Sequence, residues 1–327
     1  MPRGTLVKLT TVSAVVTVVA VLGAAPGARA DLITYCVGTG GAVTVPNDLY
    51  VPPGESCALT GTTITGNVTV AAGGNLVVSG GHISGETRIA ADGYLDATST
   101  ALGGPVELAS GGYGVFLNDA QSGPVTVRAK GSSPIDSFLF VEQTTIAGNV
   151  TASAGEVRLD RTTQVEGNVS STGSYYTDVH DSFVDGTLSV LNSATGSVVC
   201  GSAVRGRATF AGNLGGVQLG PNGNLDGCAS GGYWGRDVSV TNTTGGVTVD
   251  DNIIDGKLTT TANSPAARVA ANNRIRGGVF GDQAPAATAK TRVAPSAAAH
   301  ADTGEQRAQA RRSSAVREAA AAGDAGL

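Results

Sequence analysis

The most regular pattern in the chain is a short run of alternating apolar positions that follows a glycine. Each copy has an apolar residue, any residue and a glycine, and then apolar positions that alternate with polar ones, as in Ile64-Thr-Gly66-Asn-Val68-Thr-Val70. Alternation with a period of two predicts short β-strands with one buried face. Copies of the motif place their glycines at Gly66, Gly85, Gly104, Gly123, Gly148, Gly167, Gly186, Gly206, Gly227, Gly256 and Gly277.

These glycines recur at intervals of about 20 residues, which is the period of a solenoid coil. Two longer intervals indicate insertions near residues 132–140 and 230–237. The pattern therefore predicts an all-β, single-domain parallel β-helix of about 11 coils, each with two or three short strands. The motif glycine is expected where a close backbone approach leaves no space for a side chain. A β-sandwich or barrel is the alternative, but its strands would recur at shorter and less regular intervals.

The units resemble the repeats of right-handed parallel β-helix proteins, and the Ile-x-Gly-Asn-Val copies look like those of bactofilin-type polymer-forming proteins. The resemblance covers roughly Val43 to Phe280 and implies a fold of stacked coils. The chain departs from bactofilins in its N-terminal segment, its cysteines, its length and its insertions. Pectate-lyase-like enzymes share this general architecture, but the chain has no match to their catalytic signatures.

The first 30 residues predict a secretory signal peptide. Arg3 and Lys8 precede an apolar run from Leu9 to Leu22, and Ala28-Arg29-Ala30 supplies the small residues of a cleavage site. An uncleaved anchor is the alternative, although a membrane span needs about 20 apolar residues. The mature chain is expected to be secreted or held at the cell surface, with no membrane segment after cleavage. Its excess of arginine over lysine favours a bacterial source with a GC-rich genome.

The four cysteines of an exported chain favour disulfides, and four cysteines allow three connectivities. Cys36 and Cys57 lie close together near the start of the mature chain, whereas Cys200 and Cys228 lie close together much later. We therefore favour the local pairs Cys36–Cys57 and Cys200–Cys228. The alternative is a metal site, but the sequence has no CxxC motif and its three histidines are scattered, so no metal is expected.

The chain ends differ in composition from the repeats. Residues 31–60, with three prolines and the first cysteine pair, predict an N-terminal cap, and residues 61–282 the β-helix. Residues 283–327 predict a disordered Ala-rich tail with a marginal helix that begins near Asp302. A basic arm that binds a surface is the alternative for this tail.

Composition limits which side chains can build the core and which partners the surface can bind. The chain has 48 glycines, 4% aromatic residues and a net charge of −5. Stacked Val, Ile, Leu and Ala must therefore build the core. An acidic chain disfavours nucleic acid as a partner, and no motif implies a cofactor.

Two columns of residues are expected to face outward beside the glycines. The column just before the glycine carries Asp185, Arg205 and Asp226, which can form ion pairs between neighbouring coils. The column three residues after the glycine is largely Thr and Ser.

The best catalytic candidates lie in the segment Tyr175-Tyr-Thr-Asp178-Val-His180-Asp181, with Asp185 nearby. Carboxylates beside aromatic rings could grip and cleave a sugar chain. Tyr175 and Tyr176, together with Tyr233 and Trp234 of the insertion near residues 230–237, are candidates for sugar binding. The interpretation of the acidic residues as ordinary turn formers carries more weight, and Trp234 could equally fill a gap in the core.

The sequence thus favours an exported structural or adhesive protein of the cell surface or matrix, without catalytic activity. Two alternatives stay open. One is a carbohydrate-active enzyme, such as a polysaccharide lyase or glycoside hydrolase, or a polysaccharide-binding module. The other is self-association through the open ends of the solenoid, because unpaired strand edges template further pairing. A polysaccharide of the cell wall or matrix is the expected partner.

Overall fold

A computed structural model describes residues 32–284 and 295–327 of this chain. The predicted signal peptide and most of the predicted linker lie outside the described residues. In the described part, short strands follow one another along the chain and one long helix comes last. Helix α1 spans Pro295–Ala322. The strands are β1 (Ile33–Tyr35), β2 (Gly38–Gly40), β3 (Thr44–Val45), β4 (Asp48–Val51), β5 (Ser56–Thr60), β6 (Thr63–Ile64), β7 (Val68–Val70), β8 (Asn75–Ser79), β9 (His82–Ile83), β10 (Thr87–Ile89), β11 (Tyr94–Thr98), β12 (Ala101–Leu102), β13 (Val106–Leu108), β14 (Gly114–Asn118), β15 (Gln121–Ser122), β16 (Val125–Val127), β17 (Phe138–Glu142), β18 (Thr145–Ile146), β19 (Val150–Ala152), β20 (Glu156–Asp160), β21 (Gln164–Val165), β22 (Val169–Thr172), β23 (Tyr176–His180), β24 (Phe183–Val184), β25 (Leu188–Leu191), β26 (Gly196–Cys200), β27 (Ala203–Val204), β28 (Ala208–Ala211), β29 (Gly216–Leu219), β30 (Tyr233–Trp234), β31 (Val238–Thr241), β32 (Val247–Val249), β33 (Ile253–Ile254), β34 (Leu258–Thr261), β35 (Arg268–Val269), β36 (Arg274–Ile275) and β37 (Val279–Gly281).

Every third strand belongs to the same sheet, so that the chain winds through three parallel sheets in turn. Sheet A holds 13 strands from β1 to β37, sheet B holds 12 from β2 to β35, and sheet C holds 12 from β3 to β36. Each strand pairs in parallel with the strand one turn before and one turn after it. The predicted parallel β-solenoid is confirmed, with about 12 turns of about 20 residues and three strands in each turn.

The core is a continuous column of small aliphatic side chains that runs the length of the solenoid. Inward positions of neighbouring turns stack on one another, as Ile64, Ile83 and Leu102 do in sheet C. Because parallel strands fix this register, each side chain packs against its own counterpart in the next turn. Aromatic residues are rare in this column: Phe210 and Trp234 are fully buried there.

The motif glycines form a column of their own, and the close backbone approach expected from the sequence is confirmed. A Cβ atom on Gly85 would lie 2.5 Å from the carbonyl oxygen of Gly66, one turn earlier. The N–H of Gly85 donates to that same oxygen at 3.1 Å. The next residue supplies a second link, because Oδ1 of Asn67 accepts the N–H of Glu86 at 2.9 Å. The Gly-Asn pair thus joins successive turns at a corner of the coil.

The copy of the motif assigned to Leu225-Asp226-Gly227 is wrong. These residues lie in an insertion between β29 and β30, and the coil continues instead through Tyr233 and Trp234, which pair with Ala203 and Val204. The error has a physical cause: in the true copy Trp234 replaces the aliphatic residue and Arg236 stands at the position of the motif glycine, so the strand does not match the pattern. Residues 220–232 are called the second insertion below.

The predicted N-terminal cap belongs to the solenoid itself. Residues 33–60 contain β1 to β5, which extend the three sheets. The disulfide Cys36–Cys57 lies here with both cysteines fully buried, and the second disulfide joins Cys200 to Cys228. Both predicted disulfide pairs are confirmed, and the second one ties the second insertion to β26.

The end of the chain differs from the disordered tail with a marginal helix that the sequence predicts. Helix α1 is 28 residues long and packs against sheet B, where Arg312 pairs with the buried Asp96 and Arg311 lies 4.7 Å from the ring centre of Tyr113. Its contacts with the sheet use arginines and small alanines such as Ala308, so no apolar stripe marks the helix in the sequence. Within residues 32–284 and 295–327, no helix combines the length and the apolar character that crossing a membrane requires.

The last residues close one end of sheet B. The N–H of Thr39 donates to the carbonyl oxygen of Gly323 at 2.8 Å, and the N–H of Ala325 donates to the carbonyl oxygen of Thr39 at 2.9 Å. Leu327 packs against the end of the aliphatic core. The chain terminus therefore covers the edge of β2, the first strand of sheet B.

Candidate functional site

Two of the predicted catalytic candidates, Asp178 and His180, lie side by side on the outer face of sheet B. They are alternate residues of β23, and alternate residues of a strand point to the same side. Nε2 of His180 is 3.2 Å from Oδ1 of Asp178. The same nitrogen is 3.4 Å from Oδ2 of Asp226, which the second insertion carries. These three residues are called the Asp–His–Asp cluster below.

The second insertion is held in place by contacts on both sides of Asp226. Cys228 is bonded to Cys200, which pairs with His180 across neighbouring strands. The side chain of Gln218 on β29 accepts the N–H of Asp226 at 3.1 Å and donates to its carbonyl oxygen at 2.8 Å. Leu225 packs against the hydrophobic cluster that contains Tyr176. The carboxylate of Asp226 is therefore fixed against sheet B.

Asp178 has the least exposed side chain of the cluster. Its side chain is 7% exposed, and burial raises its pKa to about 7. The charges of His180 and Arg158 oppose this rise, whereas the carboxylate of Asp226 adds to it. A carboxyl group in this range can hold or release a proton near neutral pH.

The atoms that face each other in the cluster do not form a hydrogen bond. Oδ1 of Asp178 and Nε2 of His180 are both buried, and neither has a hydrogen-bond partner among the described residues although they are only 3.2 Å apart. The described residues also place the two sulfurs of the Cys200–Cys228 disulfide near His180. Disulfide sulfur is not a thiolate, so the set that could hold a metal here is Asp178, His180 and Asp226.

The other two catalytic candidates lie apart from this cluster. Asp181 takes a left-handed backbone conformation with φ of 43°, as the turn interpretation expects. Asp185 accepts a hydrogen bond from Gln164 at 3.0 Å and pairs with Arg205 at 2.8 Å. The ion pair predicted between Asp185 and Arg205 is confirmed, whereas Asp226 faces His180 instead of joining it.

The aromatic candidates for sugar binding separate into buried and accessible side chains. Trp234 is fully buried and donates from its ring nitrogen to Asn252 at 2.8 Å, so its prediction as a ligand-binding residue is corrected. Tyr176 is 5% exposed, and burial raises its pKa. Tyr175 is half-buried at a small depression of about 190 Å³ beside α1. Tyr233 is 41% exposed on the outer face of sheet C.

Tyr233 lies in a basic surface region near the C-terminal end of the solenoid. Two adjoining depressions of about 670 and 730 Å³ share Asp255 and Arg276 in their lining. The hydroxyl of Tyr233 donates to Asp255 at 2.7 Å, which raises the pKa of the tyrosine. Arg276 pairs with the same carboxylate at 3.0 Å. We call this region the basic groove; its charged and aromatic residues are Arg207, Tyr233, Arg236, Asp237, Asp255, Arg274 and Arg276.

Sequence reasoning missed most of the residues of the basic groove. Only Arg236 lies in the turn that the misplaced copy of the motif put out of register. Arg207, Arg274 and Arg276 lie near correctly placed motif glycines, but the repeat pattern does not show that they meet on one surface. A signal was present, because Arg205, Asp255 and Arg276 recur in the outward column before the glycine. Asp226 was missed as a partner of His180 because only the fold brings the second insertion back over β23.

Comparisons with known proteins add little to this description. No protein-family model matches the chain, and no curated protein matches it. A solved structure described as the "TibC-catalyzed hyper-glycosylated TibA55-350 fragment" aligns with 76% of this chain and 91% of that chain, at 15% sequence identity and a TM-score of 0.27. At this TM-score the alignment carries no argument, and the fold rests on the strand ladders described above.

Proposed function

We propose that this chain is an exported structural or adhesive protein that binds anionic polysaccharide through the basic groove and does not cleave it. The observation that carries the proposal is the groove itself. It gathers four arginines and an exposed tyrosine, with only two carboxylates, on a chain whose net charge is −5.

The chemistry of the groove suits an acidic sugar chain. Guanidinium groups bind carboxylate and sulfate groups with two parallel hydrogen bonds. The ring of Tyr233 offers an apolar face to a sugar, and its hydroxyl is already held by Asp255. Arg207 and Arg236 come from successive turns, and Arg276 comes from the second turn after that of Arg236, so the binding surface extends along the solenoid axis as a polymer does.

The carboxylates of the groove support binding more than cleavage. Asp255 is engaged by Tyr233 and by Arg276. Oδ1 of Asp237 accepts the backbone N–H of Lys257 at 2.9 Å. A glycosidase needs one carboxyl group to donate a proton and a second one to attack or to activate water, and both groups here already have structural partners.

Export is supported by two independent features. The N-terminal 30 residues have the pattern of a signal peptide. Both cysteine pairs form disulfides, which persist in oxidising compartments. A secreted or surface location also brings the groove into contact with polysaccharides of the cell wall or matrix.

The test is binding of the purified protein to polygalacturonate, with neutral dextran as the uncharged control. We expect saturable binding to polygalacturonate that weakens with added salt, because exposed charge pairs are screened. Arg274→Ala together with Arg276→Ala should weaken binding at least about tenfold, if each lost charge-assisted contact costs about 1–2 kcal/mol. Arg88→Ala is the matched control, because Arg88 is also an exposed arginine paired with one carboxylate. Equal loss in the control and in the double variant would contradict the groove as the binding site.

Polysaccharide cleavage is the second candidate function, and the raised pKa of Asp178 favours it. The same incubations measure it through the release of reducing ends. Cleavage that the Asp178→Asn variant abolishes would replace the binding proposal with an enzymatic one. Binding without any release of reducing ends would support the binding proposal.

A further inference from the structure

We propose that the Asp–His–Asp cluster binds one divalent metal ion of the Zn²⁺ type, and that this ion clamps the second insertion onto sheet B. The site is independent of the basic groove and of the polysaccharide-binding proposal, and it shares Asp178 with the cleavage candidate. Its ligands are Oδ1 of Asp178, Nε2 of His180 and Oδ2 of Asp226, which lie within 4.8 Å of one another.

The two separations between the histidine nitrogen and the carboxylate oxygens match a tetrahedral coordination sphere. Nitrogen and oxygen ligands lie about 2.0–2.1 Å from Zn²⁺, which places any two of them about 3.3–3.4 Å apart in a tetrahedron. Nε2 of His180 is 3.2 Å from the ligand oxygen of Asp178 and 3.4 Å from that of Asp226. The side chains therefore need little movement to accept the ion.

The lack of a hydrogen-bond partner at two of the ligand atoms is a second, separate observation. At 3.2 Å, Oδ1 of Asp178 and Nε2 of His180 are close enough for a hydrogen bond, yet their geometry does not form one. Two buried atoms this close that are not bonded to each other can each offer a lone pair to one shared partner. Asp178 is more than nine-tenths buried, and a buried polar atom left without a partner costs about 1–3 kcal/mol. An ion at the common position would satisfy both atoms.

The ligand types favour a transition-metal ion over calcium or magnesium. Ca²⁺ and Mg²⁺ take oxygen ligands and rarely use imidazole, whereas Zn²⁺ accepts imidazole nitrogen and carboxylate oxygen together. A divalent ion would also balance the two carboxylates that sheet B and the second insertion bring together. Three protein ligands leave a fourth position for another donor.

The clamp has a structural consequence for the second insertion. The disulfide Cys200–Cys228 ties it at one residue, and Gln218 holds the backbone beside Leu225 and Asp226. The metal would add a bond through the side chain of Asp226 and so fix this segment over Tyr176. Loss of the metal should then expose the insertion to proteolysis while the solenoid stays intact.

The experiment is calorimetric titration of the chelator-treated, disulfide-intact protein with Zn²⁺ at pH 7.5, and with Ca²⁺ in parallel. We expect one Zn²⁺ per chain and no competition from Ca²⁺. Asp226→Asn and His180→Gln should each weaken Zn²⁺ binding at least about tenfold. The matched controls are Asp136→Asn, a carboxylate of the first insertion paired with Lys130, and His82→Gln, an exposed histidine. Both controls should bind as the wild type does.

A second measurement needs no variant. In the wild type loaded with Co²⁺, a four-coordinate site of nitrogen and oxygen ligands should give intense visible bands without the ultraviolet band of thiolate ligation. Zn²⁺ should also slow cleavage of residues 220–232 by a protease. The inference is overturned if the wild type binds no Zn²⁺, or if Asp226→Asn and His180→Gln bind it as tightly as the wild type.

Discussion

Gly186 illustrates how a residue without a side chain stabilises the solenoid. A Cβ atom there would lie 2.5 Å from the carbonyl oxygen of Gly167, which accepts the N–H of Gly186 at 3.0 Å. The oxygen belongs to the preceding turn, whose strands are paired on both sides. Neither turn can therefore move away to admit a methyl group. The repeat keeps glycine at this position because the neighbouring backbone excludes every larger residue.

At the same scale, we expect Gly186→Ala to lower the free energy of unfolding by about 1–3 kcal/mol, the usual cost of overpacking. Gly227→Ala is the matched control, because its Cβ atom would meet nothing within 4 Å. Its effect should stay within about 0.5 kcal/mol. Urea denaturation of both variants measures the difference. A cost at position 227 as large as that at 186 would contradict the role given to the glycine column.

At the scale of the element, the outward column of sheet A confirms the row of hydroxyl groups expected from the repeat. Thr126, Thr151, Ser170, Ser189 and Thr209 stand in register on successive turns. Ser239 pairs with Thr209 and also belongs to the row. The motif did not predict it, because the copy for this turn was assigned to the wrong residues. Earlier turns carry charged residues in this column, Arg88 and Glu107. Glu107 pairs with Arg88 at 3.1 Å and with Arg128, which lies just outside the column, at 2.9 Å.

The ionisation of Glu107 should make the stability of the protein depend on pH. Hydrogen bonds from Arg128, and then from Arg88, hold its pKa below the usual value. Its contribution to stability is therefore complete above the pKa of the unfolded chain, near 4.5, and is lost as pH falls through the lower folded value. The urea midpoint of Glu107→Gln should lie below that of the wild type at pH 6, and the difference should shrink as pH falls below 4.5. A difference of the same size at pH 6 and at pH 3 would exclude this ionisation as its cause.

At the scale of the whole molecule, the C-terminal segment covers one of the strand edges that the solenoid leaves open. Residues 323–325 pair with β2, and Leu327 covers the end of the core. Unpaired edges of parallel strands otherwise template association with another chain. At the other end of the solenoid, β35, β36 and β37 are the last strands of their sheets, and Phe280 is 50% exposed.

Deletion of residues 323–327 should therefore promote association. It removes both backbone hydrogen bonds to Thr39 and uncovers the edge of β2. Light scattering of the truncated chain should show species larger than the monomer that increase with protein concentration. Thr39→Ala is the control, because it loses only the hydroxyl contact and keeps the backbone pairing. Association of the control to the same extent would assign the effect to the side chain instead of the open edge.

The sequence predicted some residues of the candidate sites and missed others for identifiable reasons. Asp178 and His180 were recognised because carboxylates and a histidine lie beside two tyrosines in one short segment. Asp226 was assigned to a copy of the repeat motif, because Leu225-Asp-Gly227 matches the motif. The true strand contains Trp234 and does not match it. The docking of α1 was missed because arginines and alanines make the contact, so no amphipathic stripe is visible.

By itself, the sequence determined the solenoid, its period, its aliphatic core and its two disulfides. These features repeat every turn or depend on neighbours along the chain, so a local pattern is enough to specify them. The tertiary structure alone decided which residues meet across many turns: Asp226 over His180, the four arginines of the basic groove, and the C-terminal residues on β2. Such contacts depend on how an insertion or a chain end folds back, and residue spacing in a repeat carries no record of that.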